Sequence, residues 1–147
     1  ANNIVIVPLM TGGTIPDSDT IQKVKDVFAD DIRPLTDIVT VQAPMQVSYD
    51  INIKYYCTLD NEADAITIVE AAGGAIEQYN AWQCGALGRD INPDQLKKFI
   101  LAPSSGSDAV ERVDIVSPTF QELASNKVAK YSGTLTVTHA IIGGDSA

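Results

Sequence analysis

The chain has 147 residues, a formal net charge of −9 and a pI near 4.3, with 45% hydrophobic and 20% charged residues. That is enough apolar chain for one domain, or two small lobes, to fold without staples. So acidic a surface repels phosphate backbones and anionic lipid, which sets nucleic-acid and membrane partners aside.

Ile4 to Leu9 is a short apolar run that reads as a buried strand, and it ends in Thr11-Gly-Gly-Thr14, a string suited to a turn. Asp17 or Ser18 then caps a helix carrying Ile21, Val24, Val27 and Phe28 at helical spacing. Pro34 disfavours helical geometry at Arg33, so this helix is expected to stop near Ile32.

From Val39 the period changes to two. Apolar residues hold the odd positions through Cys57, with mostly polar residues such as Ser48, Asp50, Asn52 and Lys54 between them. The pattern predicts one long strand, or two collinear ones, with one face buried and one wet. Pro44 has no N–H for a ladder, so it marks an edge, a bulge or a handover between two sheets.

Asn61 to Cys84 reads as one amphipathic helix weakened at Gly73-Gly74. Asn92-Pro93 starts a shorter helix that ends before Pro103. Val110 to Val116 is a strand closed by Ser117-Pro118, and Thr119 to Ser132 reads as a long hairpin connection. Tyr131 to Ile142 is the last strand, with Leu135 and Val137 facing in and Thr134, Thr136 and Thr138 facing out. The expected fold is α+β, a mainly antiparallel sheet with helices on one face, in the order strand, helix, long strand, two helices, two strands. A small β-α-β lobe is expected over 1–43 and an α+β lobe over 44–147.

Chemistry-bearing residues are few. Cys57 and Cys84 share no CxxC spacing and read as buried thiols, and a single His leaves zinc without ligands. No apolar run nears the roughly 20 residues of a membrane span. The string Thr11 to Ile15 resembles the threonine-nucleophile segment of bacterial asparaginases, with Thr14 as the nucleophile. A threonine hydroxyl needs a base and an oxyanion stabiliser beside it, and the family's second motif, with Thr, Asp and Lys, is missing. A glycine turn is the simpler reading. His139 stands in a Thr-rich strand with no carboxylate near it in sequence, and a lone His is usually structural or exposed. Asp17, Asp19, Asp26, Asp30, Asp31 and Asp37 lack the pattern of a calcium loop and read as a solvated acidic face. No catalytic, metal or cofactor site is expected.

One longer stretch carries a resemblance. Ile32-Arg-Pro-Leu-Thr-Asp-Ile-Val-Thr-Val-Gln-Ala-Pro44, continuing as Val47 to Ile53, resembles the baseplate J-like protein family. In that family an Arg-Pro-Leu-Thr-Asp segment leads from a helix into a β stretch with an Ala-Pro step. Gly13-Thr-Ile-Pro16, Gly88-Arg-Asp-Ile91 and Val110-Glu-Arg-Val113 add supporting matches, so the resemblance spans almost the whole chain. It implies a non-enzymatic wedge component of a contractile phage or prophage tail baseplate, or of a related injection machine, built into the virion after assembly in the bacterial cytoplasm. It further implies other baseplate proteins as partners, no cofactor, and a chain that is the C-terminal part of something longer and monomeric in isolation. Arg33, Pro34, Asp37 and Pro44 are the structural signature. Arg33 and Asp37 flank Pro34 at the corner between helix and strand, where charged hydrogen bonds can satisfy the turning backbone. Replacing Arg33 with alanine should therefore lower the melting temperature and leave no activity to lose; unchanged melting would count against the corner. Two readings from other classes stand beside this one, a small amidohydrolase using Thr14 and a ligand-binding α+β domain.

Overall fold

A computed structural model describes residues 3–28 and 38–143. Arg33, Pro34 and Asp37 of the signature lie outside the described residues, as do Asp30 and Asp31 and the end expected for the first helix near Ile32.

The chain begins with strand β1 (Asn3–Ile6), a 3-10 turn (Thr11–Gly13), helix α1 (Ser18–Val27) and strand β2 (Ile38–Val41). β1 and β2 form a two-stranded parallel sheet, in register from Asn3 opposite Ile38 to Ile6 opposite Val41. The Asp17 carboxylate accepts the Thr20 N–H at 2.7 Å and so caps α1. The helix packs on β2 with Ile21 and Val24 half-buried, and none of its residues is fully buried.

Pro44 is buried between β2 and strand β3 (Met45–Cys57), which belongs to a different sheet. The period-two pattern is realised there: Tyr49, Ile51, Ile53, Tyr55 and Cys57 are buried, whereas Ser48, Asp50 and Lys54 are exposed. β3 is the centre of a three-stranded sheet, between β4 (Val110–Ser117) and β5 (Lys127–Ile141). Helices α2 (Glu62–Glu70), α3 (Ala75–Gln83) and α4 (Pro93–Leu101) bring Ala65, Val69, Ala75, Ile76, Tyr79, Leu96 and Ile100 onto its apolar face. Sheet and helices thus enclose one core, in which each fully buried Ile or Leu contributes about 1.5–3 kcal/mol.

The α+β class holds, and several details differ from the sequence reading. The sheet is mixed: β4 runs antiparallel to β3, but β5 runs parallel to it over the longer ladder, and the β1–β2 pair is parallel too. Residues 119–126 are consequently not a hairpin connection. They carry the chain from one side of β3 to the other, held by Ile91 and Gln121, whose backbones exchange bonds of 2.9 and 3.0 Å. The last strand also starts four residues earlier than expected, at Lys127.

The helix expected over 61–84 is two helices. α2 ends where Ala71 turns extended (φ −70°, ψ 163°), and Gly73 beyond it has φ +75°, a left-handed conformation that only glycine adopts cheaply. A Cβ on Gly74 would lie 2.8 Å from the carbonyl oxygens of both Ile68 and Ala71. The close approach needs a glycine, and α3 restarts directly after it at Ala75. Glu77 accepts the Gly73 N–H and stitches the break.

α4 begins as its sequence predicts. Pro93 is at the first helical position, and the Asn92 side chain accepts the Asp94 N–H at 3.1 Å. Asn92→Ala should destabilise the fold by about 1 kcal/mol. In thermal unfolding followed by circular dichroism that is a drop of roughly 3 °C; no drop would mean that the cap is replaced by water.

Candidate interaction surface

The Thr11–Gly13 turn docks the N-terminal segment onto the larger sheet. Gly12 O accepts from Lys130 Nζ at 2.6 Å, and Gly13 O accepts from Gln46 Nε2 at 2.7 Å. Gly13 has φ +70°, and a Cβ there would meet Cys84 Cβ at 2.8 Å, so the second glycine is required by conformation and by space. Thr14 Oγ1 is 3.4 Å from the Thr11 carbonyl of its own turn, to which it donates. The arrangement answers to a docking turn, which gives both glycines a structural purpose.

His139 has the carboxylate that its sequence neighbourhood lacks. Nε2 lies 2.9 Å from Glu62 Oε2 on α2, and the ring stacks on Tyr55 at 5.2 Å between centroids. The Tyr55 hydroxyl donates to Glu70, so four side chains from β3, β5 and α2 form one chain of contacts. Cys57 is buried at its edge, and burial pushes the thiol above its usual pKa and keeps it protonated. A nucleophile needs the opposite shift. The cluster fastens α2 to the sheet, and no periodicity could have revealed it, since Glu62 and His139 are 77 positions apart.

The second polar knot centres on Gln83, which is fully buried. Its Oε1 accepts from Tyr79 OH at 2.9 Å and from the Asn92 N–H at 3.2 Å, while Nε2 donates to the Asp90 carbonyl at 2.9 Å. Asp90 Oδ1 in turn accepts the Leu123 N–H at 2.9 Å. One side chain thereby ties the end of α3 to the start of α4 and, through Asp90, to the 119–126 crossover. The acidic residues of α1 gather no such partners: the Asp17 carboxyl is held below its usual pKa by the backbone of its own helix, and Asp26 accepts from Gln22 at 2.9 Å. Among the described residues no group of three His, Cys, Asp or Glu is placed to hold a metal ion.

Three phenols are buried against the core, Tyr49, Tyr55 and Tyr79. Burial, first of all, holds each of them above the ordinary 10.0, and for Tyr55 the bond to Glu70 adds to the shift. The unfolded chain releases these protons near pH 10, whereas the folded chain keeps them. The stability that they carry is therefore complete below pH 10 and is lost as pH rises beyond it. Phenolate absorbance should gain a step that coincides with the loss of circular dichroism; a smooth titration of all five tyrosines in a folded chain would contradict the burial.

What the fold leaves outward is apolar in several places. Ile4, Val5, Ile15, Val27 and Phe28 are exposed in the N-terminal segment, and Val116, Phe120 and Leu135 on or beside the outer strands of the larger sheet. Many cations are occupied within the fold: Arg89 lies 4.4 Å from the Trp82 ring, Arg112 lies 3.7 Å from the Tyr56 ring, and Lys130 holds the turn at Gly12.

Satisfied polar knots, buried cysteines and outward apolar side chains are the features of a packing unit. The profile of the "Baseplate J-like protein C-terminal domain" matches residues 49–138, more than half of the chain, and the chain belongs to that family. Membership supports a structural component of the phage baseplate. The match runs from the middle of β3 to near the end of β5 and takes in the three helices. It includes the supporting matches at Gly88–Ile91 and Val110–Val113, while the Ile32–Pro44 run, which carried most of the resemblance in sequence, lies before it. No curated protein matches the chain significantly.

Proposed function

We propose that this chain is a non-enzymatic assembly module in the wedge of a contractile tail baseplate, of a phage, a prophage or a related injection machine, where it makes protein–protein contacts with other tail proteins. The family match at 49–138 is the observation that carries this reading. The geometry supports it, because the titratable side chains brought together, Glu62, His139, Tyr55 and Glu70, are engaged with one another and brace helix to sheet. The domain boundary falls at Pro44, with a β-α-β lobe before it and the α+β lobe after it. Arg33, Pro34, Asp37 and Pro44 are the structural signature of this reading.

The test is removal of the chain from a producing strain, followed by electron microscopy of the particles. Tubes and sheaths without baseplates, restored by the gene in trans, are the expected result. Normal, infectious particles would overturn the reading. A Thr14→Ala particle should be fully infectious, whereas asparagine or glutamine hydrolysis lost in that variant would favour the amidohydrolase.

A further inference from the structure

The helical layer does not reach the whole of the larger sheet. On the covered side of β3, Ile51 and Ile53 are 0% exposed. Their parallel partners on β5 are Leu135 and Val137, which point to the same face by register. Yet Leu135 is 51% exposed. A groove of about 380 Å³ opens there, lined by the apolar Leu135, Val137 and Ile76 and by the carboxylates Glu70 and Glu77. Beside it β5 is the outer strand of its sheet, and no other described strand pairs with it. An outer strand presents unpaired N–H and C=O groups to any chain that can run alongside.

We propose that the Leu135–Ile141 edge of β5 receives an extended segment of a partner protein as a fourth strand, one that presents apolar residues and a lysine or arginine on the same face. This rests on the reading of the chain as an assembly module, and it names the surface and the chemistry of the contact. An added strand would set its alternate side chains beside Leu135 and Val137 and extend the apolar layer that α2 and α3 leave short. A basic side chain on that face lays its methylenes over Leu135 and reaches the groove's carboxylates. Charge complementarity selects such a partner: two carboxylates border the groove, and the chain as a whole carries −9.

The probe is a capped peptide, Thr-Ile-Thr-Lys-Thr-Ile-Thr, with a control in which glutamate replaces the lysine. Binding is followed by amide chemical shifts and fluorescence anisotropy. The lysine peptide should bind, with the largest shifts along 134–141 and weakening as salt is raised. Leu135→Lys should weaken it about tenfold or more, and Glu77→Gln should reduce its preference over the control; both variants are to be shown folded by circular dichroism. Equal binding of the two peptides, shifts centred elsewhere, or no binding by the folded wild type would each overturn the inference. The same Leu135→Lys substitution in particles separates the two readings. Baseplate-deficient particles support the edge as an assembly contact. Normal particles, when removal of the chain does abolish baseplates, overturn the edge and leave the assembly role standing.

Discussion

Replacing Gln83 with leucine should destabilise the fold by about 3 kcal/mol, which for a chain of this size lowers the melting temperature by roughly 10 °C. The substitution keeps a buried side chain of similar volume, so no large cavity opens. What it removes is the Gln83 partner of three fixed polar groups: the Tyr79 hydroxyl, the Asn92 N–H and the Asp90 carbonyl. Each unpaired buried group costs about 1–3 kcal/mol, and Asn92 also caps α4, so the helix start loosens with it. A double-mutant cycle isolates the knot. Tyr79→Phe should cost about 1 kcal/mol in the native chain and recover about 1 kcal/mol once Gln83 is leucine, because it then removes an unpaired buried hydroxyl. Additive losses would show that the two side chains are energetically independent.

Ile53→Ala should cost about 3–4 kcal/mol, a value that combines the lost transfer energy with the cavity left behind. Ile53 is 0% exposed at the middle of the central strand, between Ile115 on β4 and Val137 on β5. Neighbours held in two ladders cannot collapse into the space. Leu135→Ala is the control, since the same kind of truncation at a half-exposed position on the outer strand should stay within about 0.5 kcal/mol. Chemical denaturation of both variants tests the pair, and equal losses would contradict the burial gradient from β3 to β5. The contrast also supports binding work at Leu135, where a changed affinity would not merely report a changed fold.

The buried face of β3 was legible in the sequence more readily than its neighbours, whereas Ile4 and Val5, read as part of a buried strand, are exposed on β1. Alternation through Val47, Tyr49, Ile51, Ile53 and Tyr55 states which side is buried, because the pleat itself has period two. It does not say which strand lies alongside, or in which direction. β5 parallel to β3 depends on a crossover pinned by Ile91, Gln121 and Asp90, none of which marks itself in a single sequence. Leu135 shows the limit of the pattern: it points to the buried side, as its position predicts, yet it is 51% exposed beside the groove that it shares with Ile76 and Glu77. Gly73-Gly74 was visible as a weakness but not as a break, since the break combines an extended Ala71, φ +75° at Gly73 and the Ile68 and Ala71 carbonyls packed on Gly74. Of the candidate surface, the apolar residues were readable one by one, and the groove among them was not. Gln83 and the Glu62–His139 pair were hidden for a shared reason, that a polar side chain's partners belong to tertiary structure. The family was recognisable from short strings, yet the matched region begins only at Tyr49.

The direction of the β3–β5 ladder has a mechanical consequence. Parallel strands place the leading end of one and the trailing end of the other at opposite ends of their shared ladder. The N-terminal segment enters β3 at Met45, opposite Lys127, and β5 finishes opposite Cys57 at Ile141. A pull between the N-terminal segment and the far end of β5 would thus shear the whole ladder at once instead of peeling it bond by bond. The same pairing drawn antiparallel would open like a zipper from one end.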